Sequence, residues 1–230
     1  MKFFFLTLSL VCALALNAWA SPLEDGLSAY EAQDYATART QWERLRDDKS
    51  IAGFWAKYYL GILYEHGLGV ETDMAKAYSY YRPIYGQVSR VLLDAEEQKK
   101  ANEALPIDGI YRMAMIDLTN ALEMEKSTDK KVRDKATQKL QDLRIAFDVA
   151  GFYRHGASFH QNGLLSLNGV GKRFYKDPPR AWAFFTLAAE LGNPGSQKQA
   201  DLLAATLKPH KMKEGREILD SYRPYIRQPF

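Results

Sequence analysis

The sequence predicts an all-α chain of about ten helices, folded as antiparallel pairs that stack into an αα superhelix. Three observations predict it. Beyond residue 20, apolar residues recur at intervals of three and four rather than two, which is the period of helices and not of strands. Signals for starting and stopping a helix follow one another closely, and short helices joined by short turns fold as antiparallel neighbours. A block near residue 75 returns near residue 180, and recurring helical units bury their apolar faces against each other in a row.

A leader precedes the first helix. Met1-Lys2 is followed by an apolar and hydroxyl run from Phe3 to Leu16 and then by Asn17-Ala18-Trp19-Ala20. A short basic start, an apolar middle and an A-x-A site read as a secretory signal, residues 1–20, cut after Ala20; an uncleaved anchor is the alternative. The run is too short for a spanning helix, so no integral membrane segment is expected in the mature chain. Cys12 is the one cysteine and lies in the leader, without a convincing lipidation box before it. The mature chain is therefore expected to rely on burial alone, with neither disulfide nor zinc-thiolate site. The destination inferred is a bacterial periplasm or the cell exterior. The net charge of +3, with acidic and basic residues interspersed, gives no ground for a nucleic-acid or anionic-membrane partner.

Ser21-Pro22-Leu23-Glu24 places an N-cap, a first-turn proline and a Glu at the third position, so a helix starts at once. Asp34 opens a second helix that turns Trp42 and Leu45 inward. A third runs from about Ala52 to His66 and leaves through Gly67 and Gly69, the residue type that tolerates a left-handed exit. Asp73 caps a fourth, its carboxylate accepting the amides of Ala75 and Lys76.

The fourth helix opens the repeat. Asp73-Met74-Ala75-Lys76-Ala77-Tyr78-Ser79-Tyr80-Tyr81 aligns with Asp177-Pro178-Pro179-Arg180-Ala181-Trp182-Ala183-Phe184-Phe185, always 104 residues apart. Upstream, Gly69-Val70 aligns with Gly169-Val170, which leaves four extra residues before Asp177. The small Ala77 and Ala181 let a paired helix approach, while Tyr78, Tyr81, Trp182 and Phe185 fill the space between helices.

With its glycines, Asp and Lys-Ala, the stretch from Leu60 to Ala77 resembles a Sel-one-like repeat, a relative of the tetratricopeptide repeat. The second copy, closing on Ala188-Ala189-Glu190-Leu191-Gly192-Asn193, is similar, with Leu164 set against Tyr64 and Gln161 against Gly61. The resemblance covers about a third of the mature chain. It implies a solenoid that binds other envelope proteins in secretion, signalling or motor assemblies. The Gly67-Leu68-Gly69 turn is then punctuation between two helices. A dinucleotide loop would follow a strand and carry a third glycine.

The expected organisation is residues 21–87 as N-terminal repeats, with the clear copy at 52–87, then an atypical segment at 88–155, and finally 156–230 as the second copy, a capping helix pair and a tail. In the middle segment Pro83 is expected to kink a run from 73 to about 101. A helix after Pro106 and one over 128–153 then form an overlong pair. In the latter, Val132, Ala136, Leu140, Leu143, Phe147 and Ala150 make a coiled-coil-like seam. Two readings compete: the seam packs against helices of its own chain, or the pair projects and offers Val132, Leu140, Leu143 and Phe147 to a partner. Tyrosines crowd the first half of the chain. Most are expected to pack between helices, while Tyr58 and Tyr80 are candidates for an inner partner-binding curve. The tail from Arg223 to Phe230 carries two prolines and either docks on the last helix pair or reaches a partner.

Catalytic and metal patterns were sought as well. No HExxH is present, and His155 and His160 do not share a helix face. Ser127-Thr128-Asp129-Lys130 matches the short S-x-x-K pattern, but no K-T-G follows, and a cap explains it. Adjacent carboxylates such as Glu96-Glu97 point apart on a helix. The expectation is a non-catalytic periplasmic interaction scaffold without metal or cofactor. The rival readings are a cell-wall or polysaccharide enzyme or binding protein, and a structural accessory of an envelope machine such as a flagellar motor or polysaccharide exporter.

Overall fold

A computed structural model describes residues 21–91, 104–170 and 175–226. The expected leader and cleavage site, the far end of the expected run after Val91 and the last residues of the tail lie outside them. The protein is all-α, with ten helices and one short 3-10 turn among the described residues. The chain divides into two compact units, the first ending at Tyr80 and the second starting at Tyr81.

In the first unit α1 (Pro22–Glu31), α2 (Tyr35–Glu43) and α3 (Ile51–His66) pack consecutively. The expected capping box is present: Glu24 N–H donates to Ser21 Oγ, and Ser21 N–H donates back to the Glu24 carboxylate. Asp34 caps α2 by accepting the Thr37 amide at 3.1 Å. Gly26 lets α1 close on α2, because a Cβ there would stand 2.2 Å from the indole of Trp42. Trp42 is fully buried, and its Nε1–H donates to the Leu23 carbonyl at 3.3 Å. Around it Ala38, Ala56, Leu60 and Leu63 form a core edged by Tyr30, Tyr35, Tyr59 and Tyr80. Helix α3 ends at Gly67 with φ +69°.

Helix α4 (Met74–Val91) runs on through Pro83, so the proline is accommodated inside a continuous helix. The division between the units falls within it. Asp73 caps it by accepting the Lys76 amide at 2.9 Å.

The second unit holds α5 (Asp108–Glu125), α6 (Lys130–Phe152), α7 (Gly156–Asn168), α8 (Pro178–Glu190), α9 (Ser196–Thr206) and α10 (Pro209–Tyr222). Consecutive helices pair: α5 with α6, α6 with α7, α7 with α8, and α8 with both α9 and α10. This is the αα stacking expected from the repeat pattern. The expected boundary at 155/156 falls inside this unit. At 23 residues α6 is the longest helix, about 35 Å at 1.5 Å per residue. Its cap is Asp129, which accepts the Lys131 amide at 2.7 Å, while Ser127 Oγ accepts the Asp129 amide; this accounts for the S-x-x-K match.

The seam of α6 is interior. Ala136, Leu140, Leu143, Phe147 and Ala150 are buried, and α5 answers with Ile110, Met113, Ala114, Leu118 and Ala121 at the complementary period. Of the residues considered for a projecting pair, Leu140, Leu143 and Phe147 are thus core side chains that present no surface. Only Val132, nearer the free end of the hairpin, is partly exposed. Lys139 reaches Asp117 across the same pair at 2.5 Å.

Helix α9 begins at Ser196, with Gly195 at φ +77° as its N-cap. The tail docks as far as it is described. Arg223 pairs with Glu190 at 2.5 Å, Tyr225 meets Phe152 at 5.6 Å between ring centroids, and Ile226 packs on the cluster of Phe159, Phe184 and Leu187.

Candidate functional site

Two helix hairpins, α3–α4 and α7–α8, are closed by equivalent hydrogen bonds. The Asp73 amide donates to the Tyr64 carbonyl at 2.8 Å, and the Asp177 amide donates to the Ser166 carbonyl at 2.8 Å. Asp73 also caps Lys76, and Asp177 caps Arg180 at 3.1 Å. Gly67 and Gly169 both stand at the C-caps, with φ +69° and +66°. These equivalences correct the sequence alignment. Ser166, not Leu164, stands where Tyr64 does, Gly163 replaces Gly61, and the longer turn has two extra residues rather than four.

An open groove lies at this turn in each hairpin. In the first, about 600 Å3, Tyr64 stacks on Tyr80 with ring centroids 5.8 Å apart, and Lys76 Nζ sits over the Tyr64 ring. Arg39 and Lys76 there face Glu71 and Asp73. In the second, about 650 Å3, Ser166 replaces the Tyr64 ring, and Arg144, Lys176, Arg180 and Lys211 line the walls with Asp177 and Glu214. Both acids are held by bases of the same groove, Asp177 by Arg180 Nε at 3.1 Å and Glu214 by Lys211 at 2.8 Å. Tyr175 at the rim is 83% exposed.

The corrected register also shows a polar core in the second hairpin. Ser158 stands at the position of Ala56 and Asn162 at that of Leu60, and all four are fully buried. Asn162 Nδ2 donates to the Arg144 carbonyl and, at 2.7 Å, to Asp148 Oδ1, whose other oxygen accepts from the Tyr222 hydroxyl at 3.3 Å. Burial pushes the Asp148 carboxyl up to about 6, against the opposing pull of Arg144 and these hydrogen bonds. Burial and the nearby Asp148 charge push the Tyr222 hydroxyl up to about 12. Asn162 Oδ1 is buried without a hydrogen-bond partner.

Ser158 belongs to a second constellation that sequence spacing does not show. His155 Nδ1 lies 2.9 Å from Ser158 Oγ, and His155 Nε2 lies 3.2 Å from Asp108 Oδ1. Serine, histidine and aspartate in this order have the roles of a nucleophile, base and orienting acid. The hydroxyl, however, is sealed in the core with no exposed surface, so no substrate carbonyl can approach it. The trio joins the start of α7 to the start of α5, where Asp108 also pairs with Arg112 at 2.6 Å. His160 is likewise a packing residue, bonded to Ser196 at 2.8 Å and tilted against Phe185. Among the described residues no cluster of His, Cys, Asp or Glu has the makings of a metal site.

Of the tyrosines proposed for a partner surface, Tyr80 is half-buried. Its hydroxyl donates to Glu43 at 2.7 Å, and burial followed by that bond pushes its ionisation far up. It ties α4 to α2. Tyr58 is partly exposed and meets Trp55 and Tyr59 edge to face.

The model of the Sel1 repeat matches residues 56–83 and 153–193, the two hairpins with the shared turn. The chain carries two Sel1 repeats. Two of the solved structures similar to it are these. One is c5321, a protective antigen of uropathogenic Escherichia coli strains displaying an SLR fold, at 16% identity and a TM-score of 0.29, covering 89% of this chain and 53% of that one. The other is a Sel1 repeat protein from Oxalobacter formigenes, at 17% identity and a TM-score of 0.31, covering 92% and 98%. The chain thus spans about half the length of c5321. No curated protein matches it.

Proposed function

We propose that this Sel1-repeat protein is a non-catalytic scaffold of the bacterial cell envelope that acts in the periplasm by binding other proteins. The observation that carries the reading is the paired groove: both repeats keep an open, polar recess at the same turn, formed by side chains that their own helices hold in place. Repeats that each present such a surface suit recognition of another chain. The reading of the location rests on the leader, whose basic start, apolar middle and small residues at 18 and 20 suit export and cleavage. No helix among the described residues is long and apolar enough to cross a membrane.

Fractionation with mass spectrometry of the N-terminus tests the location. The expected form starts at Ser21 and is released with the periplasm; a chain retained in the cytoplasm with Met1 intact contradicts it. Isolation of the tagged chain from intact cells after crosslinking tests the scaffold role. The expected result is a defined set of envelope proteins in fixed ratio. Hydrolysis of purified muropeptides by the chain alone would assign it to enzymes instead.

A further inference from the structure

The C-terminal helix α10 is lightly anchored. Its buried residues are Gly215 and Leu219, and Gly215 lets it lie on α8, because a Cβ there would meet the Trp182 ring at 2.8 Å. Its last residue, Tyr222, makes a further anchor. The ring stands 5.7, 6.2 and 5.1 Å from those of Phe152, Phe159 and Phe184, and the hydroxyl donates to Asp148 Oδ2 at 3.3 Å. Asp148 thus sits where α6, α7 and α10 meet. Docking of α10 takes water from its carboxylate and returns one long hydrogen bond, whereas a hydroxyl donating to a charged oxygen ordinarily comes within about 2.5–2.7 Å. From α7 the neutral Asn162 donates to the other oxygen at 2.7 Å. The charged groups that face the carboxyl are Arg144, one turn earlier on α6, and Arg180 on α8, which also pairs with Asp177; Tyr222 is the titratable group on α10. Burial outweighs their pull and raises the carboxyl to about 6. Asn162 stands where the first repeat has Leu60, and its Oδ1 is buried without a partner, a cost that a leucine would not carry.

We propose that Asp148, Asn162 and Tyr222 form a proton-operated latch for the C-terminal helix: with the carboxyl neutral, α10 and its tail stay closed on the second Sel1 repeat, and loss of the proton loosens them. In the closed form Oδ1 accepts from Asn162, while Oδ2 carries the proton and donates it to the Tyr222 oxygen. Loss of that proton to solvent leaves a charge with little water around it, held from α10 by one long bond. Undocking α10 returns water to the carboxylate. Enclosure favours the neutral acid, so the proton favours enclosure. The ratio of closed to open forms therefore falls as pH rises from about 4 through 6, by up to about a hundredfold for a shift of about two pKa units. The first repeat, with Leu60 in place of Asn162, has no such latch at the equivalent position.

The test is amide hydrogen exchange of the purified chain by NMR from pH 4.5 to 7, with and without low concentrations of urea, each rate divided by the intrinsic rate at the same pH. Amides of α10 are expected to be less protected than those of α5 in the same unit and to respond little to urea, the mark of an opening that stops short of unfolding. Their protection is expected to fall roughly ten- to a hundredfold across the pH range. In Asp148→Asn it is expected to stay level. Tyr222→Phe keeps the ring and removes the hydroxyl whose bond favours the charged form, so the midpoint of the fall is expected at higher pH. If α10 and α5 share one protection and one urea dependence at every pH, the carboxyl answers only to unfolding of the whole unit, and the latch is overturned. A local opening of α10 that is level with pH in the original chain overturns it too, as does a fall that persists unchanged in Asp148→Asn or a midpoint that Tyr222→Phe leaves in place or lowers.

Discussion

At the scale of single residues, two positions show how closely this protein is built. A Cβ on Gly26 would meet the buried Trp42 ring at 2.2 Å, and that indole is also held by its bond to Leu23. Gly26→Ala is expected to destabilise the chain by about 1–3 kcal/mol, as overpacking does, read as a lower denaturation midpoint with an unchanged slope. Asp148 works in the opposite sense. Its carboxyl is raised to about 6 when folded, against about 3.9 in an unfolded chain, so the folded state holds the proton longer. Its contribution to stability is therefore greatest below about pH 4 and falls as pH rises through 6, by roughly 2–3 kcal/mol over the window. Asp148→Asn keeps an acceptor for Asn162 and turns an N–H donor toward the Tyr222 hydroxyl without the buried charge, and is expected to flatten that slope in melting curves taken from pH 4 to 7. A slope that persists in the variant would show that other groups set it.

At the scale of elements, what was legible in the sequence was what depends on local chemistry. Ser21 with Glu24, Asp34, Asp73 and Gly67 act at the ends foreseen for them, because caps are satisfied within a few residues. The α6 seam was legible as a period but not as a destination, because the same pattern serves a partner or a neighbour. Its neighbour is α5. Phe147→Ala is accordingly expected to cost about 3–4 kcal/mol, and Tyr58→Ala, at a partly exposed ring, roughly 1 kcal/mol. Equal losses in urea titrations would show that the seam is not core. The second repeat is misaligned by two residues when Gly69-Val70 is set against Gly169-Val170, because the C-cap equivalent of Gly169 is Gly67. That shift hid Asn162 and Ser158, which occupy the core positions of Leu60 and Ala56, and with them the Asp148 network. The hydrogen bonds to Asp73 and Asp177 fix the register, and they connect residues whose separation the sequence does not limit. The Asp108–His155–Ser158 trio was missed for the same reason: Asp108 stands 47 residues from His155.

At the scale of the molecule, repetition with divergence accounts for the chain. Each Sel1 repeat keeps the residues that close its hairpin, an Asp cap, a basic residue three positions on and a small Ala after it. The surface beside the turn is then free to change, since its side chains contribute little to the core. One groove carries the Tyr64 ring with Arg39 and Lys76; the other is an open recess around Ser166 with Tyr175 at its rim. The central claim, that this open groove takes hold of another protein, is tested most directly by a photo-crosslinking residue in place of Tyr175 in living cells, with the same residue in place of the exposed Leu202 on α9 as reference. Discrete adducts with other proteins from position 175 and none from 202 are the result predicted. No adducts from 175, or the same adducts from both positions, would contradict it.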